Sequence, residues 1–453
     1  MPLLYSSATN NSVYRALAKE VDIILVNGDL WKIESYGYGI DVPIRSANDF
    51  HSLLVEWNQA SSEGKFAPDA EESCQSEEEE EVPNVRVLLS DTPIEAVWLR
   101  LRQLHSVKLA ERVIANRGEQ GSGILGSEVV ASKAAGVAFA LRNASDYYSA
   151  SEARNLSQRV LNLYYGSMAF AFAEMLAMPS GPDSLTQIEN VTKQGHGLYT
   201  LDGATSDLKD IAVGIIRSGF FTSWLTTLGQ EVSWTPQKKP KSFADVATFP
   251  QDSWLTLEQL FARIPEISDL FQDVFDSPTL WLEPSYDSSA NQAGFQLMAK
   301  APVSRTYGLL TDISGQLTKE DIAQFPGPFS EIKQVGSRGK ARRFRVAVDH
   351  DGHKVWWNAL DLHSSPLGPT AIIKPIFHGL GTYRAICLVL LYALSIIVRY
   401  RPSVWRRVQE GDLDHMRALI EAFLAVVVRV LPEHFLASVS GEKVFTRQHG
   451  SWA

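Results

Sequence analysis

Leu161 to Met178 reads LNLYYGSMAFAFAEMLAM, a run in which only Asn162, Ser167 and Glu174 interrupt the apolar and aromatic residues. A helix with no polar face to give to water runs through the middle of a packed bundle. Gly166, Ser167, Ala169, Ala171 and Ala173 let its neighbours come close. Ser149-Ala150-Ser151-Glu152 fits a capping box that would open this helix, and Pro179 with Gly181 stops it. The stretch therefore predicts a helical core.

Outward from that centre, helical patterning dominates. Pro93 suits a first turn, and Ile94 to Ile114, IEAVWLRLRQLHSVKLAERVI, puts Val97, Leu101, Leu104, Leu109 and Val113 on one broad face. Val129 to Leu141 is a second, alanine-rich helix, and Arg384 to Tyr400 with Asp414 to Leu431 form an apolar antiparallel pair. Val85 to Leu89 reads as a short strand. Two hairpins are expected. One turns at Asn27-Gly28-Asp29 between Ile23–Val26 and Leu30–Ile33, and the other at Asp351-Gly352 between Phe344–Val348 and Lys354–Trp357. From Asp49, Phe50, Leu53, Leu54 and Trp57 recur at helical spacing. The fold class is mainly α (α+β), a helical core with small β-hairpin additions and an N-terminal α/β appendage. The expected organisation is a small α/β unit at 1–62, an acidic disordered linker at 63–83 and a first helical part at 84–230. A mixed α/β insertion at 231–358 and a helical pair at 359–453 complete it.

The 453 residues are 45% hydrophobic and carry 42 Lys+Arg against 52 Asp+Glu, a net charge of −10. That composition excludes a disordered, collagen-like or disulfide-built chain. Asp69, Glu71, Glu72 and Glu77 to Glu81 hold eight of the excess acids, in a span without Lys or Arg, so the rest of the chain is nearly neutral and its basic clusters are not swamped. The first residues, MPLLYSSATNNS, lack a secretory signal. Cys74 and Cys387 fit a reducing, cytoplasmic setting, and the uncharged run Ala385–Val398 is short for a membrane span of about 20 residues. No membrane association is expected.

Several of these stretches together resemble the YaaC-like family of bacterial proteins: the VWLRLRQLHSVKLAERVI helix, FALRNASDYYSASEA, LNLYYGSMAFAFAEML, Gly195-His196-Gly197-Leu198 and YALSIIVRYRPSVW. The resemblance covers roughly residues 94–453 and implies an architecture rather than a chemistry. A weaker resemblance is to HEPN domains of nucleases, toxins and antiviral effectors. In those a Tyr- and Ala-rich helix like LYYGSMAFAFAEML precedes a His- and Gly-containing loop like Gly195-His196-Gly197. It implies HEPN-like helices and, in active members, an Arg followed four to six residues later by a His that cleaves RNA without a metal. Arg429 and His434 have that spacing; Arg345 and His350 share it but fall on a predicted hairpin and are set aside.

The catalytic candidates are thus Arg429, His434 and His196. His196 is framed by glycines and titrates near neutrality, or simply caps a neighbouring helix. Glu174, inside the apolar helix, needs a partner such as Arg399 or Arg142 in a structural ion pair. Asp349 to His353, DHDGH, with His363 and His378 downstream, matches no zinc spacing, and neither a metal nor a cofactor is expected. Arg338, Lys340, Arg342, Arg343 and Arg345 form the densest basic cluster, a phosphate- or nucleic-acid-binding candidate against the alternative of a solvated loop. The expectation is an RNA- or nucleotide-binding HEPN-like effector of stress or phage defence, a metal-independent ribonuclease if an enzyme. Homo-oligomers are compatible with it. The alternative is a non-enzymatic scaffold that docks a protein partner through residues 1–62.

Overall fold

The computed structural model describes residues 3–5, 11–27, 39–40, 42–46, 50, 53, 85–120, 125–152, 155–203, 207–250, 252–291, 304–351, 353, 355–377 and 379–447. About half of the chain is helical and 18% is strand, an α+β composition. The chain divides into two compact units, residues 1–82 and 83–453.

In the first unit, strand Ile24–Asn27 lies between Leu3–Tyr5 and Ile44–Ser46, and both pairings are parallel. Helix Asn11–Leu17 stands between the first two strands in sequence, as a parallel crossover requires. Ile24 and Val26 pack with Tyr14, while Ile23 and Leu25 pack with Leu53. Burial on both faces explains the unbroken apolar run Ile23–Val26. The expected hairpin at Asn27-Gly28-Asp29 has its second strand outside the described residues, as are most of the helix after Asp49 and the acidic segment with Cys74.

In the second unit the central helix is Leu156–Ala177, packed against Ser127–Ala150, Tyr383–Tyr400 and His415–Ser440. Gly166 allows a close approach to the preceding helix, since a Cβ there would sit 2.7 Å from Tyr148 Cδ2. The Tyr148 hydroxyl then reaches Ser167 Oγ at 3.0 Å. The helix opens at Asn155, whose side chain accepts from the Gln158 amide, and not at the Ser149–Glu152 box. Those residues close the preceding helix instead, with Ser151 at its C-terminus donating to the Tyr148 carbonyl. At the other end the buried Lys133 ammonium donates to the carbonyls of Met178, which caps the helix, and of Gly181 just beyond it.

The two C-terminal helices both lie on the central helix. His415–Ser440 runs on through Pro432, which ends the apolar run in the sequence reading, to a left-handed Gly441. Burial of Phe435, Leu436 and Val439, worth roughly 1.5–3 kcal/mol each, outweighs the cost of about 3 kcal/mol for an interior proline. Both helices are long and apolar enough to cross a membrane, and most of each apolar window is buried inside the fold.

Three sheets surround the helices. Val85–Leu89 pairs in parallel with Lys443–Arg447, and Leu198–Leu201, Ala212–Ile215 and Trp254–Thr256 form an antiparallel sheet. The third is five-stranded, in the order Phe329–Arg338, Ala341–Asp349, Arg305–Asp312, Trp281–Tyr286, Ile372–Ile373. Its hairpin turns at Gly339, not at Asp351-Gly352. Gly339 takes a φ of 65°, and the Arg345 strand is paired on both sides by the time Asp351 is reached. Trp356–Ala359 is a 3-10 turn rather than a strand.

Candidate functional site

Three side chains from distant parts of the chain line one cleft, and a fourth, Glu266, holds two of them from behind. Glu266 stands on the 3-10 turn Pro265–Ile267. His363 is fixed by two main-chain hydrogen bonds with Ala371, of 2.8 and 2.9 Å. Tyr383 opens the Tyr383–Tyr400 helix, and His434 faces inward from His415–Ser440. The Glu266 carboxylate has no solvent exposure and accepts from His363 Nε2 at 2.7 Å and from the Tyr383 hydroxyl at 2.8 Å. Burial pushes its carboxyl up, but the hydrogen bonds and charge of His363, with Ser365 and Tyr383, outweigh it and hold the group below the usual range. A carboxylate only accepts, so the His363 ring proton sits on Nε2. Nδ1 of the same ring is buried without a hydrogen-bond partner among the described residues.

The cleft, about 140 Å³, is lined by His363, Tyr383, His434, Asp361, Thr382 and Arg384. Tyr383 stacks on His363 with centroids 3.9 Å apart, and His434 stacks on His363 at 5.4 Å. Burial, then the charges of His363 and Arg384, push the His434 imidazole down to about 3, so it is neutral at physiological pH. Arg384 donates through Nη2 to Glu174 at 2.7 Å, and its buried Nε has no partner among the described residues. Glu174 also accepts from Trp224 Nε1 at 2.7 Å and from Ser438 Oγ. Its partner is thus Arg384, not Arg142 or Arg399: Arg142 donates to the His105 carbonyl, and Arg399 to Ser395 and Tyr165. Beyond Tyr383, Cys387 is fully buried, and burial raises its thiol well above the usual value. His363 Nδ1 is thus a buried ring nitrogen without a partner among the described residues, in a cleft that Arg384, paired with Glu174, also lines.

Of the candidates read from the sequence, His434 belongs to this cleft and Arg429 does not: Arg429 is exposed on another side of the same helix. Residues five apart are turned by about 500° around a helix and do not share a face, so the Arg429–His434 pairing is replaced by His434 beside His363. His196 stands elsewhere. Its Nδ1 lies 2.7 Å from the Tyr164 hydroxyl, its carbonyl accepts from the Phe221 amide, and burial, then Arg399, lowers its pKa. The basic cluster is divided among roles. Arg345 donates to the buried Asp287 at 2.6 Å and Arg342 to the Leu317 carbonyl, whereas Arg338 and Lys340 are exposed at the hairpin tip and Arg343 is half-buried. His350 is tied to Thr306 and to the His353 carbonyl, and His378 lies outside the described residues.

Glu266, Tyr383 and Arg384 escape the sequence reading, and His363 enters it only as a remote companion of a rejected metal pattern. A signal was present in Ile264-Pro265-Glu266-Ile267, a lone acid in an apolar turn, and in Tyr383-Arg384, polar groups just ahead of a long apolar helix. Among the described residues no three His, Cys, Asp or Glu side chains converge as metal ligands. No curated protein and no solved structure matches the chain significantly. The family model described as YaaC-like protein matches residues 102–439, which takes in the central helix, Glu266, His363, Arg384 and His434. By that match over most of its length, the chain belongs to the YaaC-like protein family.

Proposed function

We propose that the His363 cleft is an acid–base site for a phosphate-bearing ligand, and that the protein is a cytosolic RNA- or nucleotide-binding effector with a HEPN-like helical core. The observation that carries this is the Glu266–His363 contact of 2.7 Å, which orients a histidine whose other nitrogen is unpartnered, beside Arg384. In RNA, a 2′-hydroxyl gives its proton to His363 Nδ1 and its oxygen bonds to phosphorus. The 5′-oxygen leaves and takes the proton back from the same ring, giving a 2′,3′-cyclic phosphate and a 5′-hydroxyl. Arg384 offsets the charge on the phosphoryl oxygens. General acid–base catalysis of this kind contributes roughly 10²–10⁴-fold.

The test is incubation of the full-length protein with single-stranded RNA in the presence of a chelator. Cyclic-phosphate products that vanish with His363→Ala support the reading. Absence of both binding and cleavage at low salt overturns it. A second reading, an adaptor acting through its N-terminal residues, draws on the separation of 1–82 as a compact unit. Deletion of that unit would then abolish recovery of a protein partner and leave RNA untouched.

A further inference from the structure

We infer a second ligand site, for an organic phosphate with an apolar body, in a cleft of about 220 Å³ between the helices Pro93–Gln103 and Val107–Gln120 and the end of His415–Ser440. Four guanidinium groups line it, those of Arg86, Arg100, Arg112 and Arg117, against one carboxylate, Glu442. That carboxylate is already engaged: Arg86 grips it with both nitrogens, at 2.7 Å through Nη2, and Arg100 adds to its stabilisation. Arg117 is spent on the Ser438 and Val439 carbonyls, capping the helix end. Arg112 has no hydrogen bond or ion pair among the described residues, and Arg100 reaches only Gln103 Oε1, at 2.5 Å. Among the described residues, Arg112 thus lines the cleft without an acidic partner, and Arg100 makes no ion pair and feels Glu442 only through its charge.

The rest of the lining mixes apolar side chains with Gln103, Asn116 and Ser440. Leu104, Leu436 and Val444 are buried, and Leu109 and Val113 come from the same helix as Arg112. Like charges gathered around one cleft repel one another and leave guanidinium forks unused, a cost that an anion relieves. A planar fork matches phosphate oxygens two at a time. The apolar part of the lining adds contact area for a base or a short alkyl chain, which inorganic phosphate cannot use. This site stands apart from the His363 cleft and does not rest on the function proposed there.

Calorimetric titration of the full-length protein with octyl phosphate, adenosine monophosphate and inorganic phosphate tests it. At least one organic phosphate should bind tighter than inorganic phosphate, and which one does so identifies the body accepted. The Arg100→Ala/Arg112→Ala variant should lose roughly tenfold or more in affinity, the scale of one charge-assisted contact. Leu109→Asp should weaken the organic ligand and spare inorganic phosphate, and His363→Ala should change nothing. Arg112 is exposed and Arg100 half-buried with one hydrogen bond, to Gln103, so the double variant should stay within about 1 kcal/mol of the wild type in stability. Equal binding of all three probes, wild-type affinity in the double variant, or loss of binding in His363→Ala alone would each overturn the assignment.

Discussion

Glu266 accepts from His363 Nε2 at 2.7 Å and so leaves Nδ1 of that ring as the nitrogen free for chemistry. The same carboxylate takes the Tyr383 hydroxyl at 2.8 Å, so both of its oxygens are committed to orienting groups on the cleft wall. Glu266→Gln offers one acceptor where two donors require two. The His363 ring is then free to turn or to exchange tautomer. If the cleft cleaves RNA as proposed, His363→Ala lowers that cleavage by roughly 10²–10⁴-fold, and Glu266→Gln lowers it too while the Nε2–H resonance of His363 shifts or disappears in a histidine-selective NMR spectrum. An unchanged resonance in Glu266→Gln would mean that the carboxylate does not orient the ring.

Stability should fall on acidification between neutrality and pH 4, and His434 should carry part of the slope. Its folded pKa, about 3, lies below the unfolded value of about 6.5, so the unfolded chain binds a proton in that window that the native protein refuses. Stability is therefore full above pH 6.5 and is lost as the pH drops. Glu266, also depressed, adds to the loss only below its unfolded value of about 4.3. His105 and His196 are lowered as well, so the His434 share is a difference. Urea denaturation of wild type and His434→Gln at pH 7 and pH 5 should show the smaller decrease in the variant.

Glu174 sits unexposed among Trp224, Arg384 and Ser438. Glu174→Ala strands the Arg384 guanidinium in the interior, and breaking a buried pair in this way costs about 3–5 kcal/mol. Glu174→Gln keeps an acceptor and the volume and should cost visibly less. The comparison of midpoints in urea separates lost charge compensation from lost packing. Equal losses in the two variants would assign the whole effect to the charge.

The sequence makes the middle of this fold legible because Leu161–Met178 has no polar side, and a helix of that kind has one place to go. It misplaces what is decided by partners far away. Ser149–Glu152 has capping chemistry, yet the helix opens at Asn155. The parallel pairing of Val85 with Lys443 joins residues more than 350 apart, and no local pattern announces it. The site follows the same division. His434 is visible as a histidine on a helix, but His363 and Arg384 come to line one cleft, with Glu266 behind it, only through packing between segments that are each unremarkable alone.

Gly166 faces Tyr148 across the packed helices, and a Cβ would lie 2.7 and 2.9 Å from two ring carbons. Gly166→Val has to drive that ring aside and with it the Tyr148–Ser167 hydrogen bond of 3.0 Å. Overpacking of this type costs about 1–3 kcal/mol. Thermal unfolding of Gly166→Val should show that loss, and pairing it with Tyr148→Leu should recover part of it by removing the obstructed ring.

The basic cluster should separate by role under mutation. Arg345 donates to Asp287, a carboxylate only 3% exposed that Ser289 and Ala290 also support. Arg345→Ala leaves that charge with neutral donors alone and should destabilise the protein by about 1–3 kcal/mol. Arg338 and Lys340 are exposed at the hairpin tip, so Arg338→Glu with Lys340→Glu should leave stability within about 0.5 kcal/mol. If the tip contacts RNA phosphates, the double variant instead weakens RNA retention at low salt, and the slope of log affinity against log salt falls by roughly two for two lost cations. Filter binding across a salt series, read beside urea midpoints for both variants, tells the structural arginine from the pair that meets the ligand; an unaltered salt slope in the charge-reversed variant would remove the hairpin tip from the RNA contact.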